Sequence, residues 1–266
     1  MMLEPLPTLR RPTPPPPAHA RSLPARAALL WLAAGWRDLK AGPGASLAYG
    51  LFLVLLSYAV VWVLHAAGLL YLVLPAIAGF LIVGPFLAIG LYEKSRRLAA
   101  GETVQLADMV RFRPAAMAQL AFAGLLLGLL VLFWIRAADL LYALFFGLQP
   151  FPGAADALTN VLTTDRGWAL IVTGTLVGGL FAAFAFAISV FAFPMLVAGR
   201  QDALTAVGIS FAMTAQNLRP MLAWGAIVTL GLVLSLLTGL VALAVIFPVL
   251  GHGTWHAYTA IAGGTE

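Results

Sequence analysis

Two histidines four residues apart, His252 and His256, stand near the C-terminal end of the chain in the string FPVLGHGTWHAYTA. On a helix that spacing stacks both imidazoles on one face. Such a pair suits either a metal or haem site or the polar hem of a membrane span. The metal reading needs more than the spacing. HGTWH lacks the Glu of a zinc-hydrolase H-E-x-x-H helix. His65 lies at the far end of an apolar run, about 30 Å of hydrocarbon away, and His19 lies in a Pro-rich stretch. The chain has no cysteine, which excludes disulfides, thiolate ligands and cysteine nucleophiles together. Ser57 and His65 have no neighbouring acid to complete a hydrolase triad, and no phosphate-binding loop is present. No catalytic residue, metal or cofactor is expected.

A second pattern places His256 in a set. Three strings fit P-x-L-x-x-G: Pro85–Gly90, Pro194–Gly199 and Pro248–Gly253. Eight residues after each proline stand Glu93, Asp202 and His256 in turn. These three, with His252, are the candidate ligand-binding residues. Grouped at one mouth of a helix bundle they would suit a cation, a proton or a lipid headgroup, as ionisable groups at membrane depth often do. The competing reading is that they mark where helices leave the bilayer.

The elements that must carry these residues follow from composition. The chain is 62% hydrophobic and 9% charged, against about 25% charged in soluble domains. Residues 41–92 contain no Asp, Glu, Lys or Arg. At roughly 20 residues per crossing, that tract reads as a hairpin, Ala45–Ala67 and Leu69–Tyr92, turning near Gly68. Met117–Ile135, Trp168–Phe193, Met221–Leu237 and Leu240–Trp255 complete an all-α membrane protein of six transmembrane helices. The prolines above end the even spans, and Leu47-Ala-Tyr-Gly50, Leu120-Ala-Phe-Ala123 and Leu222-Ala-Trp-Gly225 begin the odd ones. The spacing therefore predicts three tandem helical hairpins, about residues 24–100, 101–200 and 201–260, in a single domain, 24–266.

Each hairpin has an amphipathic preface that reads as an interfacial helix. The apolar faces are Ala25, Ala28, Leu29, Leu32, Trp36 and Leu39 in the first, then Leu106, Met109 and Val110, then Leu204, Val207, Phe211, Ala215 and Leu218. Residues 1–23, with PTPPPP, read as a disordered cytoplasmic tail. Gly124–Gly128 and Gly174–Gly178 are small-xxx-small pairs suited to helix packing or self-association. The external connection holds Arg136 and Asp139, placed to pair, then LLYALFFGLQPFPG and a short helix over DALTNVLTT.

Every Lys and Arg except Arg136 and Arg166 falls in segments that alternate spans place on one side. The positive-inside rule makes that side, with both termini, cytoplasmic. This asymmetry also accounts for the net charge of +5 without nucleic acid, and anionic headgroups are the expected partner of the basic loops.

GPFLAIGLYEKSRRLAAGE, the run LTTDRGWALIVTGTLVGGLFAAFAFAISVFAFPML, NLRPMLAWGAIV and FPVLGHGTWHAY together resemble a bacterial family of predicted integral membrane proteins of unknown function. Some of its members carry a cytochrome c oxidase label. The resemblance covers most of the chain after about residue 30 and implies a multi-pass protein of the inner membrane. The residues themselves point first to a non-enzymatic scaffold or accessory protein, as a homo-oligomer or with a membrane partner. A transporter or channel for a small solute, ion or lipid with a polar cytoplasmic mouth is the alternative. A respiratory-oxidase-associated protein is a second alternative that the resemblance supplies.

Overall fold

The computed structural model describes residues 18–69, 72–111, 116–147 and 154–263, and among them every regular element is helical. The helices are α1 (Ala27–Lys40), α2 (Pro43–Ala66), α3 (Val73–Leu87), α4 (Ile89–Ala99), α5 (Leu106–Arg111) and α6 (Met117–Phe146). They continue as α7 (Ala154–Thr163), α8 (Asp165–Ser189), α9 (Ala192–Ala198), α10 (Ala203–Gln216), α11 (Leu218–Leu237) and α12 (Leu243–Ala262). Among the described residues, five stretches are long and apolar enough to cross a membrane: Pro43–Ala66, Pro75–Ala99, Met117–Phe146, Asp165–Ala198 and Leu218–Leu237.

The expected sixth span is helical within α12, but α12 is not among those five. It is as long as α11 at 20 residues, yet the part from His252 onward carries His252, Thr254, His256 and Thr259. Protein covers that part. His252, Gly253, Thr254, Trp255 and Ala257 are all buried, so α12 is the hub of the bundle, packed by α1, α2, α4 and α11.

Glycine sets how closely α12 is approached. A Cβ on Gly35 of α1 would strike the Val249 carbonyl oxygen and stand 2.7 Å from the Gly253 nitrogen. One on Gly50 of α2 would strike the Ala244 carbonyl and stand 2.9 Å from Pro248 Cγ. Gly251 leaves room for Leu91 of α4, and Gly253 for Trp224 of α11. Trp224 also meets Trp31 of α1 edge to face, with centroids 6.0 Å apart. The small-xxx-small pairs behave unequally. Gly178 receives Trp134 of α6, and Gly124 receives Phe86 of α3, while a Cβ on Gly128 or Gly174 would meet nothing within 4 Å.

Two of the P-x-L-x-x-G prolines coincide with broken helices, and a hydroxyl from a neighbouring helix repairs each break. After Pro85, the Leu91 N–H turns to the Ala88 carbonyl at 2.9 Å. The Leu87 carbonyl, its ordinary helical partner, instead accepts from the Tyr49 hydroxyl of α2 at 2.7 Å. Between α8 and α9, Pro194 has no N–H for the Val190 carbonyl, so the ladder cannot run through. Ser210 of α10 is inserted there. Its Oγ accepts from the Phe191 N–H at 3.1 Å and donates to the Ala187 carbonyl at 2.8 Å. Hydrocarbon offers no water to free backbone groups, so neighbours must supply these bonds. The third proline, Pro248, sits inside α12 without a break.

Other expectations shift. The helices α1, α5 and α10 stand where the interfacial prefaces were expected; Ala28 and Leu39 of the named α1 face are buried, and most of the other large side chains of the two outer faces are exposed. Leu29 and Trp36 of α1 are exposed while Ala27, Trp31, Ala34 and Gly35 are buried. In α10, Leu204, Phe211 and neighbouring Leu218 are exposed, and Ala206, Ser210, Met213 and Thr214 face in. Large apolar side chains lose nothing by facing lipid, whereas small and hydroxylated ones allow close, hydrogen-bonded helix contact. The third span runs past Ile135 to Phe146, because Arg136 and Asp139 pair at 3.3 Å on its surface without interrupting it. It stops at Gly147, whose φ of +77° suits glycine. The turns expected near Gly68 and Gly239 are present, with φ of +71° and +61°.

Of the Pro-rich tail, residues 1–17 lie outside the described residues, as do 148–153 of the external apolar patch. The end of the tail is held rather than loose. Asn217 accepts from the Arg21 N–H at 3.0 Å and donates to the His19 carbonyl at 2.7 Å, and Arg21 Nε donates to the Ile261 carbonyl at 2.9 Å.

Gly35→Ala should cost about 1–3 kcal/mol by overpacking α1 against the α12 backbone. Gly128→Ala should be neutral, or stabilising by up to about 1 kcal/mol. Thermal unfolding of both variants in one detergent tests the contrast.

Candidate functional site

The polar residues of the bundle collect where α1, α2, α4 and α12 meet. Gly42 starts α2 with φ of +119°, which puts its carbonyl and Ser46 beside α4. Lys94 of α4 donates to the Gly42 carbonyl at 2.7 Å and to Ser46 Oγ at 2.8 Å. Ser46 Oγ lies 2.9 Å from His252 Nε2, and His252 Nδ1 lies 2.8 Å from Ser95 Oγ. Ser95 donates to Asp38 Oδ2 at 2.6 Å, and the same oxygen stands 2.8 Å from His256 Nε2. Six side chains from four helices form one unbroken chain.

Donor and acceptor chemistry fixes the direction of that chain. An ionised carboxylate only accepts, so the Ser95 proton points to Asp38. The Ser95 oxygen must then receive a proton from His252 Nδ1. His252 is therefore the Nδ1–H tautomer, and its Nε2 accepts from Ser46, whose oxygen accepts from Lys94. Every link points from Lys94 towards Asp38. His252 and Lys94 are both 0% exposed, whereas the side chains of Asp38 and His256 are 15% and 30% exposed. The chain thus runs from a dry interior to the surface. Burial pushes the Asp38 carboxyl up, but hydrogen bonds from His256 and Ser95 outweigh it and hold the group below its ordinary value.

The candidate residues part company here. His252 and His256 share this chain, and both His252 nitrogens are engaged by serines, leaving neither for a metal in this arrangement. Glu93, on the same helix as Lys94, is 1% exposed and serves a different set. It takes Arg96 in a two-bond grip at 2.7 and 2.8 Å and Arg97 at 2.5 Å. Asp202 caps α10 by accepting from the Thr205 N–H at 2.9 Å, and that bond holds its carboxyl below the ordinary value. Among the described residues no hydrogen bond or ion pair joins Glu93, Asp202 and His256 to one another. Asp38, Ser46, Lys94 and Ser95 were not singled out in the sequence, although Asp38 is the only acid between Glu4 and Glu93.

A second feature lies at membrane depth. A cleft of about 1450 Å³ opens between α8 and α11, with α3 and α6 at its back. Gly174, Gly178, Ala182, Gly225 and Ala226 line its length, with Asp139 towards one end and Thr214 towards the other. Gly174, where an added Cβ would meet nothing within 4 Å, is one of its walls.

Residues 72–198 match the family model DUF2189, predicted integral membrane protein. The resemblance to a family of unknown function therefore holds over a stretch a little shorter than half the chain, from the start of α3 to the end of α9. Glu93, Lys94 and Ser95 lie inside the DUF2189 match, as do Gly124, Gly128, Gly174 and Gly178; Asp38, Ser46, Asp202, His252 and His256 lie outside it. No protein of curated function and no solved structure matches the chain. The chain is an integral membrane protein with several membrane-crossing helices.

Asp38→Asn should lower stability by about 1–3 kcal/mol, the scale of a hydrogen bond to a charged group. A depressed carboxyl pKa adds stability above the unfolded value, about 3.9, and loses it as pH falls through the folded value. The gap in melting temperature between wild type and Asp38→Asn should be full above about pH 5 and close in more acidic buffer. Thermal melts across that range check it.

Proposed function

We propose that the protein is a non-enzymatic membrane protein that takes a lipid, or an apolar solute of lipid size, sideways from the bilayer into the cleft between α8 and α11. The observation that carries this reading is the cleft itself. At about 1450 Å³ it exceeds the roughly 300–1,000 Å³ of ordinary small-molecule pockets. Its walls are mainly apolar, and a space open to hydrocarbon is filled by hydrocarbon. The paired Arg136 and Asp139 near one end offer a headgroup both signs of charge. This favours the lipid form of the transporter alternative over the scaffold expected first.

Within that proposal the topology has six spans, with α12 as the sixth, shielded from lipid by α1, α2, α4 and α11. The order preface, span, span recurs as α1 with α2 and α3–α4, α5 with α6 and α8–α9, and α10 with α11 and α12, which supports three tandem hairpins in one domain. The distribution of basic residues supports a topology with both termini and the Lys94–His256 chain on the cytoplasmic side, against anionic headgroups, in the bacterial inner membrane that the family resemblance implies. Glu93, gripping two arginines there, serves the helix exit rather than a ligand.

The scaffold reading retains one specific observation. Gly174, Gly178, Gly225 and Ala226 give the cleft small-residue walls, which would also admit a helix of a partner, an oxidase subunit or a second copy.

Native mass spectrometry from detergent-free nanodiscs decides between these occupants. A retained lipid mass is expected, and Gly174→Leu, whose side chain would enter open cleft, should remove most of it with the melting temperature kept. Retained protein mass would establish the scaffold reading in its place. Bare protomer in wild type would overturn both.

A further inference from the structure

Lys94 is a fully buried ammonium, and among the described residues it joins no direct ion pair. Its partners are a backbone carbonyl and a serine. A charge so placed costs several kcal/mol unless it is balanced. The balancing charge within the chain is Asp38, reached through Ser46, His252 and Ser95. The other titratable groups on the helices that carry this pair or pack against them are Arg37 and Lys40 of α1, Tyr49, Tyr58 and His65 of α2, Tyr92, Glu93, Arg96 and Arg97 of α4, Asp108 and Arg111 of α5, Arg219 of α11, and His252, His256 and Tyr258 of α12; α9 contributes none.

We propose that Lys94, Ser46, His252, Ser95, Asp38 and His256 form a proton-transfer path that lets the buried lysine exchange its proton with the surface while the bundle stays closed. In one passage Lys94 Nζ gives a proton to Ser46 Oγ, and the Ser46 hydroxyl proton moves to His252 Nε2. His252 Nδ1 gives its proton to Ser95 Oγ, and the Ser95 hydroxyl proton moves to Asp38 Oδ2. Four N–H or O–H bonds break and four form. The ammonium and carboxylate become amine and carboxylic acid, His252 changes tautomer, and net charge is unchanged. Asp38, partly exposed and hydrogen-bonded to His256, passes the proton outward, and the reverse order restores the lysine. An imidazole with both nitrogens hydrogen-bonded to hydroxyls suits such a relay, since it takes a proton on one side and releases one on the other. None of this depends on what fills the cleft.

The test is nitrogen-15 NMR of the full protein in lipid bilayers, following His252 tautomer and solvent exchange of the side-chain protons. Wild-type His252 should be neutral and protonated at Nδ1, and the Lys94 and His252 protons should exchange much faster than the amides of Tyr92 and Ser95. Ser46→Ala cuts off Lys94 alone, so it should slow Lys94 by at least about tenfold and leave His252 fast, in the range where local opening sets exchange. Ser95→Ala cuts off both and should slow both. Destabilisation alone would speed exchange, so slowing separates a severed path from a loosened bundle. Wild-type Lys94 exchange no faster than the surrounding amides would overturn the proposal, as would an imidazolium or Nε2–H His252. Both of these readings need no variant to fold. Equal rates in wild type and both serine variants would also overturn it.

Discussion

The contact of α1 and α2 with the backbone of α12, across Gly35 and Gly50, is the constraint on which the remaining structure depends. With no Cβ at these positions the helix backbones touch, and α12 sinks to the middle of the bundle. That depth sets His252 between Ser46 and Ser95, and His256 against Asp38. A chain with links of 2.6–2.9 Å tolerates little displacement, because hydrogen bonds weaken steeply outside their narrow range. The polar cluster is thus a consequence of glycine packing about one turn away along α1 and α2.

Polar groups at membrane depth are answered by side chains throughout. Tyr49 and Ser210 take up backbone groups released where helices break near Pro85 and Pro194. Asn217 secures residues 18–21 against the ends of α10 and α12. Each device ties a backbone group to a side chain of another element, and each has the same cause: a backbone group deprived of water must find a partner in protein. The breaks are therefore also points of cross-linking.

The two sides of the bundle contrast. Around α12 packing is tight and the Lys94–His256 chain is hydrogen-bonded throughout; between α8 and α11 the interior is apolar and open. Binding at the second with proton exchange at the first would leave each suited to its task. The DUF2189 match joins them unevenly, since it includes α8 and the Lys94–Ser95 edge of the polar chain but neither α11 nor α12.

Membrane residence, helical class, most span positions and the turns at Gly68 and Gly239 were legible in the sequence. They depend on apolar run length and local backbone geometry, which neighbouring residues determine. The large apolar faces of α1 and α10 were legible from periodicity, but the small residues that pack inward were not: Gly35 and Ser210 face in because close approach and hydrogen bonding need a partner helix that periodicity does not identify. The sequence marked His252 and His256 by spacing, and Glu93 and Asp202 by their distance from proline. It did not mark Asp38, Ser46 or Ser95, because an ordinary acid and two serines acquire meaning only from partners far away in the chain. Nor could repeat alignment tell that Glu93, Asp202 and His256 would serve three different partners. Local sequence determined that there are helices, and where they start and stop. Close packing around α12 decided which polar groups meet, because hydrogen bonding acts over a few ångströms of space and not along the chain.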